Sequence, residues 1–138
     1  MKGRNKNSSL PKSNNIEVTN FAWCFTSCSL LATVPIDLFK YNTKVNSFFY
    51  TFSYCNKLQQ NANIFWADGE RDTRFHDKTV SFQGCFSRTS FTGTQGTSPD
   101  LWNCDFGTGT PTKTDCFDGA GNSETSLTNY TDIPTDWK

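Results

Sequence analysis

The chain has 138 residues, enough for one domain with a modest core and too few for two. Thirteen basic and thirteen acidic residues cancel to a formal net charge of zero, and no stripe of Lys and Arg stands out, which argues against a nucleic-acid partner. Hydrophobic residues make up only 35% of the chain but aromatic residues 15%, so a few large rings are expected to form most of the core.

The chain begins with a polar segment followed by its most apolar run. Residues 1–20 are basic and show no hydrophobic periodicity, which predicts a disordered leader. Residues 21–34, F-A-W-C-F-T-S-C-S-L-L-A-T-V, fit the apolar region of a secretory signal and are shorter than the ~20 residues of a membrane span. The long leader and the interrupting Ser, Thr and Cys favour the other interpretation, a pair of buried strands. No transmembrane span is predicted.

Two further segments predict strands. The aromatic segment 45–55, V-N-S-F-F-Y-T-F-S-Y-C, is rich in β-formers, and alternation at period two would place Phe48, Tyr50, Phe52 and Tyr54 on one face. Asp68 and Gly69 follow an apolar run, which is a strong hairpin signal because glycine supplies the positive φ that a tight turn needs.

The strand returning from that hairpin is predicted over 79–83, T-V-S-F-Q, with Val80 and Phe82 facing the core. Cys85 then falls on the outer side. Either a bulge at Gly84 turns it inward, or it forms a bond at the rim of the sheet.

The rest of the chain is loosely patterned. A short strand is predicted over 101–106, and the polar segment 119–138 is predicted to be a flexible tail. Together these patterns predict a single β domain over 21–118. Its fold class is all-β, an antiparallel two-sheet sandwich or flattened barrel cross-linked by disulfides.

The six cysteines are even in number and scattered, which in a small polar chain indicates disulfides and an oxidising compartment, the secretory lumen or the cell exterior. A zinc site is disfavoured because there is no C-x-x-C pair and His76 is the only histidine, so neither metal nor cofactor is predicted. The spacing alone leaves every pairing open. The six are Cys24, Cys28, Cys55, Cys85, Cys104 and Cys116.

The order of these elements resembles the mannose 6-phosphate receptor homology domain, a lumenal lectin-like module. The resemblance lies in Cys28, in I-D-L at 36–38, in Y-T-F-S-Y-C-N-K-L at 50–58, in F-W-A-D-G-E at 65–70, in T-V-S-F-Q-G-C at 79–85, and in C-D-F and T-D-C within 104–116. It implies a flattened two-sheet β fold.

The resemblance also implies disulfides Cys28–Cys55 and Cys85–Cys116. The family's partner for Cys104 has no counterpart after Glu70, which leaves two alternatives: Cys104 pairs with Cys24 or stays free. The family's sugar-binding Gln, Arg, Glu and Tyr find no matching positions, and Phe106 stands where the Tyr hydroxyl belongs. The family's sugar-binding residues are therefore not carried over to this chain.

The best candidates for ligand contact surround the hairpin, because an exposed indole stacks on sugar faces while charged groups bond hydroxyls. They are Trp66, Asp68, Glu70, Arg71 and Arg74. The alternative for Trp66 is a ring in the core. Asn7 and Asn129 fit the N-glycosylation sequon.

No pattern of catalytic residues stands out. The sequence thus predicts a non-enzymatic, lumenal, lectin-like module that binds a glycoprotein or protein partner. The alternative is a small secreted disulfide-rich β effector or toxin-like protein that acts on a foreign protein or surface.

Overall fold

A computed structural model describes residues 16–90, 96–121 and 127–138. Its helices are short: α1 is Arg71–Arg74, and 3-10 helices occupy Leu101–Asn103, Tyr130–Asp132 and Thr135–Trp137. Strand pairing involves 5% of these residues, and they form no sheet or barrel. The prediction of an all-β antiparallel sandwich or flattened barrel is therefore wrong.

The body of the protein is instead a stack of four nine-residue segments, which we call rungs 1 to 4: residues 20–28, 47–55, 81–89 and 112–120. Parallel single-residue bridges join Asn20 to Ser47, Ser47 to Ser81, and Ser81 to Thr112. The backbone hydrogen bonds between rungs run one way. The N–H groups of rung 2 donate to carbonyls of rung 3 over 2.8–2.9 Å, and the same polarity joins rung 1 to rung 2 and rung 3 to rung 4.

Each rung is a series of overlapping turns, which explains why strand pairing is so sparse. In rung 2 the N–H groups of Thr51, Ser53 and Cys55 donate to carbonyls three residues earlier, over 3.0–3.4 Å. The fourth and eighth residues, Tyr50 and Tyr54, have φ of 52° and 63°. A side chain therefore returns to the same side every four residues and not every two.

This period of four corrects the predicted aromatic face of rung 2. Phe48 and Phe52 are fully buried, but Tyr54 is 52% exposed. Alternation at period two would have buried all of them together. The four rungs are internal repeats that the strand interpretation misses: N-F-A-W-C-F-T-S-C, S-F-F-Y-T-F-S-Y-C, S-F-Q-G-C-F-S-R-T and T-K-T-D-C-F-D-G-A.

A column of stacked phenylalanine rings runs through the sixth position of every rung. Phe25 stacks on Phe52 with ring centroids 5.3 Å apart, Phe52 on Phe86 at 5.5 Å, and Phe86 on Phe117 at 5.4 Å, all within 12° of parallel. A second column joins Phe48 to Phe82 at 5.8 Å. Aromatic pairs add attraction beyond their buried area, so these columns hold the rungs in register.

The predicted hairpin is half right. Gly69 has φ of 82° in a turn closed by the Glu70 N–H on the Ala67 carbonyl, at 3.0 Å. Helix α1 follows this turn directly, and no strand returns beside residues 64–67. Residues 79–83 run into rung 3, where Val80 and Phe82 are buried as predicted but pair in parallel with rungs 2 and 4. The flattened two-sheet fold that the family resemblance implies is absent from the described residues.

The C-terminal segment closes the end of the stack at rung 4. The Phe117 N–H donates to the Trp137 carbonyl at 2.8 Å, and the Trp137 ring packs against Phe82 and Phe117. Ile133 is also buried. Residues 127–138 of the predicted flexible tail thus cap the stack, as terminal segments do in repeat proteins. Residues 1–15 of the predicted leader lie outside the described residues.

Replacing Tyr54 with glycine is expected to raise the free energy of unfolding by about 1 kcal/mol, since an L side chain at left-handed φ costs ~1–2 kcal/mol that glycine avoids. Lys57→Gly is the matched control, because Lys57 is also exposed but is not among the residues with positive φ. We expect that variant to lose up to about 1 kcal/mol. Urea unfolding of both checks the result, and destabilisation by Tyr54→Gly would contradict the turn geometry.

Candidate functional site

The structure separates the five predicted ligand residues. Trp66, Asp68 and Arg71 line one cleft of about 330 Å³. Glu70 and Arg74 line a different cavity, together with Lys40, Tyr41, Thr43, Thr73 and Lys78. Trp66 is only 3% exposed. Its ring therefore borders the cleft but does not present the exposed face that stacking on a sugar requires.

Arg74 is a structural residue. Its Nε donates to the Phe65 carbonyl at 2.8 Å, and its Nη2 donates to the carbonyls of Phe39 and Asn42 at 3.1 Å. The guanidinium lies 4.4 Å from the centre of the Phe75 ring. Burial lowers the pKa of Arg74 to about 10, which leaves it a cation at neutral pH. It therefore ties three backbone segments together, while its Nη1 is buried without a hydrogen-bond partner among the described residues.

The centre of the cleft is a carboxylate held in place from two sides. The Arg71 Nη1 donates to Asp100 Oδ2 at 2.7 Å, and the Asn103 Nδ2 donates to the same oxygen at 3.0 Å. Hydrogen bonds to Asp72 and Asp100 raise the pKa of Arg71, so the guanidinium stays charged. At the rim, the Asn63 amide donates to Asp68 at 2.9 Å. This geometry holds the Asp100 carboxylate in place through Oδ2.

A second cleft of about 280 Å³ shares Ala62 and Asp100 with the first. We call the two together the polar groove. The second part brings in Trp102, which is partly exposed, and Asp132, which is exposed. Its remaining lining is Thr97, Ser98, Asn103 and Asn129.

Asn129, a predicted glycosylation site, lies in this second part of the polar groove. Its Oδ1 accepts the Ser98 N–H at 2.9 Å and its Nδ2 donates to the Ser98 carbonyl at 3.0 Å. A glycan on Nδ2 would stand at the groove itself. The other predicted glycosylation site, Asn7, lies outside the described residues.

The groove carries four carboxylates, Asp68, Asp72, Asp100 and Asp132, against the single guanidinium of Arg71. Among the described residues that line it, the other polar side chains are amides and hydroxyls, and the only large rings are those of Trp66 and Trp102. In the part of the chain that the structure describes, no three His, Cys, Asp or Glu side chains are grouped to hold a metal ion. The arrangement can accept and donate hydrogen bonds to a neutral or cationic ligand, with an indole beside it.

Sequence reasoning misses Asp100, Trp102, Asn103 and Asp132. Asp100, Trp102 and Asn103 lie more than ten residues after the end of rung 3, and Asp132 lies more than ten residues after the end of rung 4. No local sequence pattern marks any of them. The only signal that could have grouped them with Asp68 is the internal repeat, because equivalent connections after successive rungs lie on the same side of a stack.

Five of the six cysteines lie at rung positions that hold only small side chains. The fifth position of the four rungs holds Cys, Thr, Cys and Cys, and the ninth holds Cys, Cys, Thr and Ala. From rung 2 onward each of these side chains is fully buried, and buried Cys packs as a small apolar residue. The stack thus gives a reason for five of the six cysteines that does not require oxidation.

All six cysteines are free in the structure. In both pairs implied by the family resemblance, the two cysteines nevertheless hold the same position on adjacent rungs. Cys28 and Cys55 are at the ninth position of rungs 1 and 2, and Cys85 and Cys116 are at the fifth position of rungs 3 and 4. Cys24 is on rung 1 and Cys104 follows the 3-10 helix at Leu101–Asn103. Peptide mapping without reductant tests these pairs, which stay a prediction.

In the reduced protein we expect thiol reagents at pH 8 to modify Cys24 and Cys28, which are exposed, well before Cys55, Cys85 and Cys116. Burial raises the pKa of Cys55 from 9.0 to about 11 and holds the pKa of Cys116 well above its usual value. The folded state therefore keeps protons that the unfolded thiols lose, so stability is expected to fall as the pH rises from about 9 towards 11. Equal modification rates for all six thiols would contradict this burial.

No protein-family model, no curated protein and no solved structure matches this chain. Within the described residues, no helix is long and apolar enough to cross a membrane.

Proposed function

We propose that the chain is a binding module whose polar groove recognises a polyhydroxylated ligand, such as the glycan of a glycoprotein, without reacting with it. The observation that supports this most is the Asp100 carboxylate, fixed by Arg71 and Asn103 at the junction of the two clefts. Sugar hydroxyls form hydrogen bonds with carboxylates and amides. When these groups are already held in place, less side-chain entropy is lost on binding.

Trp102 supplies the apolar contact that sugar recognition also uses. It stands at the groove, partly exposed, and packs edge-on against Phe117 with centroids 5.9 Å apart. An indole ring held in this way can pack against the C–H face of a pyranose. In this proposal Trp102 takes the role predicted for Trp66. The module would act in the secretory lumen or outside the cell, as its six cysteines predict.

A glycan array followed by calorimetric titration of any retained glycan tests the proposal. We expect Asp132→Asn and Trp102→Ala each to weaken binding about tenfold or more, equivalent to ~1.4 kcal/mol or more. Asp115→Asn is the matched control, because it removes an exposed carboxylate outside the groove. Retention of no glycan, or equal weakening by the control, would overturn the proposal.

A further inference from the structure

The end of the stack at rung 1 differs from the end at rung 4 because the hydrogen bonds between rungs have a direction. Rung 1 uses its N–H groups at Phe21, Trp23, Phe25 and Ser27 to bond rung 2 over 2.7–2.9 Å. Its carbonyls at Asn20, Ala22, Cys24 and Thr26 point the other way along the stack, and no donor within the described residues bonds to them. The outer edge of rung 1 is thus a row of acceptors spaced two residues apart.

Apolar groups flank this row. The rings of Phe21 and Phe25 stack on Phe48 and Phe52 through their inner faces, with centroids 6.0 and 5.3 Å apart. Both are only half-buried, unlike their fully buried partners in rung 2. Trp23 is 52% exposed and Leu30 is 80% exposed. The edge therefore has the two features by which rungs 2 and 3 each hold the rung before them: alternate carbonyls and two Phe rings in register.

We propose that the outer edge of rung 1 is a docking surface for a polypeptide segment of another protein that carries the rung pattern, Ser-Phe-x-x-Cys/Thr-Phe-Ser. Such a segment would stack in parallel, donating alternate N–H groups to the carbonyls of Asn20, Ala22, Cys24 and Thr26. Its two Phe rings would cover those of Phe21 and Phe25. The same interface, with both ring pairs, already occurs twice within the chain, between rungs 1 and 2 and between rungs 2 and 3. The occupant can therefore be specified by its sequence pattern.

A second copy of this chain does not fit the edge. Two rung 1 edges facing each other would set acceptors against acceptors. At rung 4 the C-terminal segment covers the centre of the donor edge, where the Phe117 N–H bonds the Trp137 carbonyl and the Trp137 ring packs on Phe117. No segment among the described residues supplies donors to rung 1, and we assign them to a segment of a different molecule.

The test uses the full chain and a peptide with the sequence of residues 81–89 carrying Cys85→Ser. In the protein, this rung donates N–H bonds to rung 4 from Phe82, Gly84 and Phe86. In a titration followed by NMR, we expect the carbonyl ¹³C signals of Ala22 and Cys24 to move on binding, because a carbonyl shift responds to hydrogen bonding. Signals of Asp132 in the polar groove should stay unchanged.

A second peptide with esters in place of the amides of Gly84 and Phe86 removes two donors while keeping the chain's shape, and should bind at least tenfold more weakly. An ester at Gln83 is the matched control, since that N–H bonds the hydroxyl of its own Ser81 at 3.4 Å, and it should bind as the parent does. Absence of binding at millimolar peptide, equal binding of the diester, or shifts confined to the groove or to rung 4 would each overturn the proposal.

Discussion

Replacing Phe86 with alanine is expected to lower the free energy of unfolding by about 3–5 kcal/mol, the usual cost of truncating a fully buried Phe. Phe86 is one of the two inner rings of the sixth-position column, and the centroids of its neighbours Phe52 and Phe117 lie 5.5 and 5.4 Å away. Its loss leaves a cavity between two rungs and removes two stacked pairs at once. Chemical unfolding followed by circular dichroism measures the change.

Tyr41→Ala is the control for this experiment, since Tyr41 is 44% exposed and surface substitutions usually stay within about 0.5 kcal/mol. Phe86→Leu should fall between the two variants, because it keeps most of the apolar volume but not the stacking. A Phe86→Ala protein as stable as the parent would show that the ring column does not hold the rungs together.

Replacing Arg74 with leucine is expected to cost about 3 kcal/mol or more, because three buried carbonyls lose their donor and an unpaired buried polar group costs ~1–3 kcal/mol each. Lysine should fail to rescue stability, since one ammonium group cannot match the planar fork that reaches Phe65, Phe39 and Asn42. The measurement is again the free energy of unfolding, from urea titration.

The same helix provides the control. Arg71 stands three residues before Arg74 in α1, and its ion pair with Asp100 lies near the surface, where such pairs contribute up to ~1 kcal/mol. Arg71→Leu should therefore be mild for stability, although it removes a support of Asp100 in the polar groove. If Arg71→Leu proved the more destabilising of the two, the assignment of Arg74 as the structural residue would be contradicted.

The sequence predicts local features of this fold better than the way they assemble. The aromatic core and the turn at Gly69 follow from composition and from glycine's tolerance of positive φ, and the structure confirms both. The all-β fold does not follow, because the aromatics of rung 2 fit two periods equally well. Phe48, Tyr50, Phe52 and Tyr54 satisfy alternation at two, while the two Phe alone satisfy a repeat of four.

Rung 3 is what separates these interpretations. Its fourth position, between Phe82 and Phe86, holds Gly84, and its eighth position, after Phe86, holds Arg88. Alternation at period two from Phe82 therefore finds no apolar side chain at these two positions. Aligning rungs 2 and 3 would have favoured the period of four and indicated a stack. A strand prediction made one segment at a time cannot use this comparison, because the information lies in the repeat.

The candidate site was predictable only in part. Asp68 and Arg71 were placed at a ligand site from their position beside an Asp-Gly turn, and they do line the polar groove. Trp66 and Arg74 were assigned by the same reasoning but are buried, because the segment after the turn becomes helix α1 and folds inward. Asp100 and Trp102 reach the groove through the stacking of the rungs, which no local pattern encodes.

The parallel stack itself is tested most directly by nuclear Overhauser contacts in a uniformly labelled sample. We expect cross-peaks between the ring protons of Phe48 and Phe82, and between those of Phe52 and Phe86, because these rings stack on neighbouring rungs with centroids 5.8 and 5.5 Å apart. Cross-peaks pairing residues 64–67 with residues 79–83 in antiparallel order, without the rung-to-rung set, would contradict the stack and restore the hairpin.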